Sequence, residues 1–193
     1  MMSYYLAIDI GASSGRHILG SIEDGKIKLE EIYRFENGIS KIGDEYCWDI
    51  QGLFNEIKKG IKKCKDIGKV PKTIGIDTWA VDFVLLDEND EMLGNAVAYR
   101  DDRTEGYMEK AFQVIPQDML YLYTGIQFQR FNTLYQLLAI KDKNPEYLKK
   151  AKTFLMIPDY LNFLLTGKKA NEYTNATSTQ LVNSFDRTWD KNI

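Results

Sequence analysis

Two short stretches of this sequence hold residue types that could do chemistry together. The first runs Ala7-Ile8-Asp9-Ile10 and then Gly11-Ala12-Ser13-Ser14-Gly15-Arg16, an apolar run ending near an acid and opening into glycines and serines. Such a loop offers backbone amides and hydroxyls to an anion. A carboxylate beside a phosphate repels it unless a divalent cation lies between them, so Asp9 with this loop points to Mg²⁺ and a polyphosphate. Taken one at a time, the same residues fit a flexible hairpin turn and an acid bonded to nearby backbone amides. The phosphate reading rests on their combination.

The second stretch is Asp77-Thr78-Trp79-Ala80-Val81-Asp82, joined further along by Tyr99-Arg100-Asp101-Asp102-Arg103. Sugars are held by carboxylates and amides that chelate neighbouring hydroxyls, with an aromatic ring against a C–H face. This region supplies both kinds of group. Trp79 fits a core aromatic equally well, Arg103 fits a salt-bridge partner, and Asp102 reads as a surface charge.

What the chain lacks narrows the choice. His17 is its one histidine; it follows Arg16 in a strand-like run and reads as an exposed or hydrogen-bonded scaffold residue without a catalytic role. Cys47 and Cys64 have no C-x-x-C or Cys/His ligand spacing. Zinc sites and Ser/His/Asp or Cys/His machinery therefore lack the histidines they need. Lys plus Arg number 25 against 28 Asp plus Glu, a net charge of −3 without a like-charged block, so nucleic-acid binding has no electrostatic footprint. The opening MMSYYLAIDIG has no positive flank and carries Asp9 where an apolar signal segment would continue, and no apolar run approaches the roughly 20 residues of a membrane span. The expectation is a cytoplasmic protein with reduced thiols.

These residues must be positioned by a globular fold. With 193 residues, 44% hydrophobic and 27% charged, the chain is long enough for one large domain with its own core, and no repeat or linker divides it. Residues 4–10 read as a strand, the glycine loop follows, and RHILGSI and KIKLEEIYRF read as two more strands turned by Asp24-Gly25. The loop thus joins strand to strand, unlike the phosphate loops of nucleotide-binding motifs that run into a helix. A helical stripe from Ile50 to Cys64 follows, with Asp49 as its cap and Gly68 and Pro71 as its stop. Its lysines read as the solvated face. KTIGIDTW reads as a strand ending on Asp77, and AVDFVLLDENDEMLGNAVAY as a hairpin turning at Glu88-Asn89-Asp90. Beyond Thr104 the pattern is mostly helical, with Gly125, Pro158 and Gly167 as helix punctuation, and the tail from Asn171 shows no clear period. The class is α/β. If the strands ending at Asp9 and Asp77 are parallel neighbours, both acids stand at the carboxyl edge where open α/β sheets bind ligands.

The stretches AIDIGASSGR, TIGIDTWAVDFVLLD, VAYRDDRT, GIQFQRFNTLYQL, MIPDYLNFLLTG and EYTNATSTQLVN occur in this order from residue 7 to residue 183. Together they resemble the amino-terminal half of the FGGY carbohydrate kinase family. The resemblance implies an actin-like, ribonuclease H-like domain with a mixed sheet, a phosphate-binding β-hairpin and flanking helices. It also implies transfer of the γ-phosphoryl group of ATP to the 1-hydroxyl of L-rhamnulose, with Mg²⁺. By the same resemblance Ala12, Ser13, Ser14, Gly15 and Arg16 match the ATP phosphate loop, and Asp9 takes the metal position. Trp79-Ala80 matches the sugar-contacting turn, where a glycine is usual in place of Ala80, and Asp82, Tyr99 and Gln127 are further candidates for that pocket.

The family's general base and adenine pocket belong to a second, carboxy-terminal domain. The resemblance therefore implies that residues 1–193 form a single amino-terminal domain with no catalytic base of its own. Half a cleft cannot exclude water or align an in-line attack, so such a domain alone should bind weakly, turn over negligibly and self-associate through the apolar face meant for its partner domain. Two other functions stay open: a kinase for another ketose or polyol, and a non-catalytic module that binds nucleotide or sugar.

Overall fold

The computed structural model describes residues 2–193. Its centre is a four-stranded sheet built from β1 (Tyr4–Ile10), β2 (Ser14–Glu23), β3 (Lys26–Glu36) and, after two short strands and a helix, β6 (Pro71–Asp77), in the order β3-β2-β1-β6. The first three strands form an antiparallel meander, and β6 lies parallel to β1. The β2–β3 turn has Asp24 at φ 50° and Gly25 at φ 73°, the paired positive angles that match the twist of a two-residue hairpin. That is why Asp-Gly sits there.

Alternation along the strands sorts one face inward. Leu6, Ile8 and Ile10 of β1 join Leu19 and Phe35 in the main core, while Tyr5, Ala7 and Asp9 point the other way. The inner face is covered by α1 (Ile50–Asp66), which buries Ile50, Leu53, Ile57 and Cys64. Asp49 caps it as expected, accepting from the Gly52 N–H at 2.8 Å, and its lysines are exposed. His17 is a core residue with 0% exposure, its Nε2 3.2 Å from the Ile57 carbonyl. Burial lowers its pKa, so it packs as a neutral ring.

Between β3 and α1 the chain makes a hairpin absent from the sequence reading, β4 (Ile39–Ile42) with β5 (Glu45–Trp48). After β6, β7 (Phe83–Leu86) is buried throughout. The expected hairpin over residues 80–99 is only partly realised. Its turn is present, but the return limb keeps one bridge, Leu86 to Met92. Beyond Leu93 it crosses to β5, where the Trp48 N–H donates to Ala96 O at 2.9 Å and the Ala98 N–H to Tyr46 O at 2.8 Å. The ladder partner of β7 is instead β8 (Thr153–Met156), far along the chain. A strand buried on both faces takes the partner that brings most apolar surface, and local proximity does not decide it.

The remainder is helical: α2 (Tyr107–Phe112), α3 (Gln117–Thr124), α4 (Thr133–Lys143), α5 (Pro145–Lys150), α6 (Ile157–Thr166) and α7 (Tyr173–Thr177). Gly125 and Gly167 close α3 and α6 in left-handed conformation, as expected. α2, α3 and α4 pack around Tyr107, Leu120, Leu134 and Tyr135 as a second core. α6 joins the first core through Ile157 and Leu161. The tail is more ordered than its composition suggested, with α7 followed by the small ladder of β9 (Val182–Asn183) and β10 (Thr188–Trp189). No helix among the described residues is long and apolar enough to cross a membrane.

Candidate functional site

Parallel pairing of β1 and β6 sets Asp9 opposite Asp77 in the register. Both acids therefore stand at one carboxyl edge, with the Gly11–Gly15 loop leaving one strand and the Thr78–Asp82 turn leaving the next. This is the place where open α/β sheets receive ligands.

The loop is exposed at Gly11 and Ser13 and closed at its base by the Gly11 N–H donating to Ser14 O at 2.9 Å. Gly15 is required by packing: a Cβ there would lie 2.1 Å from the Phe35 ring. The amides of Ala12 and Ser13 and the hydroxyls of Ser13 and Ser14 take no protein partner among the described residues. They remain free donors. Asn37 steadies the loop from the end of β3, its N–H donating to Ser13 O at 3.0 Å and its Nδ2 to Gly11 O at 2.8 Å. The Asp9 side chain is 40% exposed, and Arg16, its cross-strand neighbour, donates from Nε to Asp9 Oδ2 at 2.8 Å.

The described residues contain no group of three or more His, Cys, Asp or Glu side chains arranged to hold a metal. Mg²⁺ is usually held by one or two carboxylates together with substrate phosphates and water; the carboxylate beside the loop donors, Asp9, is engaged by Arg16.

The second half of the site is organised around Asp82. Its Oδ2 accepts from Trp48 Nε1 at 2.7 Å, Trp79 Nε1 at 2.9 Å and the Tyr99 N–H at 3.0 Å. Its Oδ1 accepts from Gln136 Nε2 at 3.1 Å. With 0% exposure, Asp82 lies beneath the surface it was assigned to. Burial pushes its pKa up to about 6 against the opposing pull of those hydrogen bonds. Above it the rings form a row: Trp79 lies 4.0 Å from Trp48 between centroids, Tyr99 6.4 Å from Trp48, and Phe131 5.7 Å from Tyr99. Trp79 is half-buried, packed on the core by one face, so both of its readings describe part of it. Ala80 is exposed at the apex of the turn, and Gln127 is exposed with its carbonyl accepting from Asn132 Nδ2 at 2.9 Å.

The structure thus gathers Trp79, Ala80, Asp82 and Tyr99 into one cluster, whereas the Gln127 side chain bonds to none of them. Asp102 is exposed and ion-paired to Arg130 at 3.1 Å. Arg103 turns inward instead, donating from Nη2 to Gln136 Oε1 at 2.6 Å. Asn37, Trp48, Thr133 and Gln136 join the site without being expected there. Asn37 precedes the β4–β5 hairpin and Trp48 ends it; nothing near Thr133 and Gln136 in sequence signals their bonds to Val81 and Asp82, more than 50 residues away.

Comparison with known proteins agrees with this geometry. Residues 4–193 match the model of the FGGY family of carbohydrate kinases, N-terminal domain. A curated relative from Halalkalibacterium halodurans, named rhamnulokinase, is 62% identical over 192 residues, covering 100% of this chain and 41% of the relative. Another from Oceanobacillus iheyensis, also named rhamnulokinase, is 60% identical, covering 98% of this chain and 40% of the relative. The chain therefore spans about two fifths of the length of these relatives. Among solved structures, the gluconate kinase from Lactobacillus acidophilus superposes with a TM-score of 0.87 at 22% identity, covering 99% of this chain and 39% of that one. The fold is the actin-like, ribonuclease H-like one expected, and with the match running through both loop and turn, the chain belongs to the FGGY family of carbohydrate kinases.

Proposed function

We propose that this chain is the phosphate-loop and sugar-binding lobe of an ATP-dependent kinase that transfers the γ-phosphoryl group of ATP to the 1-hydroxyl of L-rhamnulose. The observation that carries this reading is the Asp9–Asp77 register, which sets a loop of free donors beside an aromatic turn at one sheet edge. The name borne by relatives up to 62% identical supports the choice of sugar.

In this reading Ala12, Ser13, Ser14 and Gly15 hold the ATP phosphates through amides and hydroxyls. Arg16 balances charge beside Asp9, which would hold Mg²⁺. Bound Mg²⁺ supplies neutralisation of the polyphosphate charge. Trp79 offers a ring face and Ala80 a backbone amide to the sugar, with Tyr99 and Gln127 at the rim. Asp82 acts from below, by holding the Trp79 indole. The proton acceptor for the sugar hydroxyl and the adenine pocket lie in a further, carboxy-terminal domain, and residues 1–193 form the amino-terminal one.

The outer face of the sheet is the surface for that partner domain. Tyr5, Ile18 and Leu29 flank an open depression of about 550 Å³ that runs to Asp9 and Asp77, and Leu29 is 71% exposed. A contiguous apolar patch of this kind marks an interaction surface. Residues 1–193 alone therefore self-associate through this face. The compartment is the cytoplasm.

The test is phosphorylation of L-rhamnulose, but not of xylulose or glycerol, by the complete kinase. Preference for another ketose would move the assignment to that sugar, and absence of turnover with any would leave a binding module. Titration calorimetry on residues 1–193 should show weak MgATP binding. Tight binding would refute the half-cleft argument.

A further inference from the structure

The turn that carries Ala80 is strained, and the strain is held from the helical part of the molecule. The Asp82 N–H donates to Ala80 O at 2.9 Å, and Val81 between them has φ 64°. A hydrogen bond closing three residues about a positive φ is the rare form of γ-turn. A β-branched residue in that region is a backbone outlier, and such outliers persist only where the surroundings over-determine them.

Here the surroundings can be named. Thr133, at the first turn of α4, donates from Oγ1 to Val81 O at 2.6 Å. Gln136, one turn on, shares its two Nε2 hydrogens among Phe131 O at 2.8 Å, Asp82 Oδ1 at 3.1 Å and the same Val81 carbonyl at 3.3 Å, the longest of the three. The Val81 N–H donates to Ser178 Oγ at 3.4 Å, just beyond α7. Thr133 and Gln136 are 0% and 1% exposed: Thr133 is buried against the Val81 carbonyl, and Gln136 ties that end of the turn to Asp82 and Phe131. Glycine at position 81 would adopt this φ without strain. The chain instead has a valine whose backbone is clamped on both sides, with its side chain buried and Ala80 left outward.

We infer that Thr133 and Gln136 are positioning residues for the sugar. They hold Val81 in its left-handed conformation, which presents the Ala80 peptide and the Trp79 ring at fixed angles to the sugar's hydroxyls and C–H face. A turn free to relax would meet the same sugar with its amide and ring misaligned, and the loss would fall on sugar binding while the phosphate loop stays intact. This rests on the kinase reading above.

The experiment uses the complete kinase and three variants. Thr133→Val removes the hydroxyl at nearly constant volume, Thr133→Ser retains it, and Thr133→Val/Val81→Gly removes the clamp and the strain together. The expected result is a KM for L-rhamnulose raised about tenfold in Thr133→Val, the scale of one buried hydrogen bond, with the KM for MgATP within about twofold of wild type. Thr133→Ser should restore the sugar KM to within about threefold. Thr133→Val/Val81→Gly should likewise bring the sugar KM back to within about threefold of wild type, because glycine adopts this φ without a clamp, and recovery of folding by the glycine carries the test if Thr133→Val alone fails to fold. Equal impairment by Thr133→Val and Thr133→Ser would overturn the inference, as would a double variant no better than Thr133→Val. Those results would leave the kinase reading intact, since wild-type turnover tests it separately. A wild-type enzyme inactive on every ketose would overturn both.

Discussion

The Gly11–Gly15 loop and the Thr78–Asp82 turn share one sheet edge but draw their shape from different distances along the chain. The loop closes on itself through Gly11 and Ser14, and its acid pairs with an arginine seven residues on. Its donors stay open to solvent. The turn is fixed by bonds that span 34 residues to Trp48, 52 to Thr133, 54 to Gln136 and 97 to Ser178, and its central acid is buried. The difference follows from what each must bind. A phosphate tail is recognised by charge and by many equivalent oxygens, so a locally closed nest of amides suffices. Telling one sugar from another requires donors and a ring held at set angles, and that rigidity has to come from packed neighbours.

Altering one region at a time would break or sharpen this contrast. The largest effect is expected at the base of the turn, where Asp82→Ala strips the acceptor from four donors and should cost roughly 3–5 kcal/mol of unfolding free energy in urea titration. Asp9→Asn should leave that free energy almost unchanged. In the complete kinase it should lower kcat roughly 100-fold with a smaller change in the KM for MgATP, because it disturbs charge placement at the transferring phosphate. A variant with full activity would remove Asp9 from the site.

A smaller effect should appear in the pH dependence of stability. Burial raises the Asp82 pKa from 3.8 to about 6, so the folded state binds its proton more tightly than the unfolded state does. Its contribution is fully present below about pH 4 and is lost as pH rises through about 6. Asp159 has the same sign, its pKa pushed up to about 6 by burial, with the Glu172 charge adding to the rise. Comparison with Asp82→Asn isolates the one acid: the stability advantage of wild type over this variant should shrink by on the order of 2 kcal/mol between pH 4 and pH 7. A constant difference would mean Asp82 stays ionised throughout. The smallest effect is expected for Asn37→Ala, which removes one exposed bond to the loop. It should cost about 0.5–1 kcal/mol and raise the KM for MgATP a few-fold.

The loop was legible in the sequence because each of its determinants lies within a few residues: an apolar run, an acid, small residues, then Asp24-Gly25 to turn the next strands. The α1 cap, the helix-closing glycines and the strands ending on Asp9 and Asp77 were legible for the same reason. The β4–β5 hairpin did carry a readable signal, Gly43-Asp44 between strand-like runs, with Gly43 at φ 61°. The pairing of β7 with β8 carried none. A local hairpin was expected there, and the return limb left for β5 because burying β7 on both faces outweighs the short connection.

At the site, the sequence pointed to Trp79, Ala80, Asp82 and Tyr99 through residue type alone, and it could rank neither the depth of Asp82 nor the isolation of Gln127. Depth depends on what packs above a residue. For Asp82 that cover comes from the Trp48, Trp79 and Gln136 side chains, which lie on separate elements.

From residues alone, then, came the α/β class, the strand–loop–strand hairpin and the two acids at strand ends. These are properties of composition and of contacts only a few positions apart. Tertiary structure alone decided that Asp9 and Asp77 meet in register, that Asp82 becomes a buried acceptor for two indoles, and that Val81 is held at positive φ by residues of a distant helix. Each depends on segments brought together by burial of apolar surface, and the free energy of that burial belongs to the assembled core rather than to any one stretch of chain.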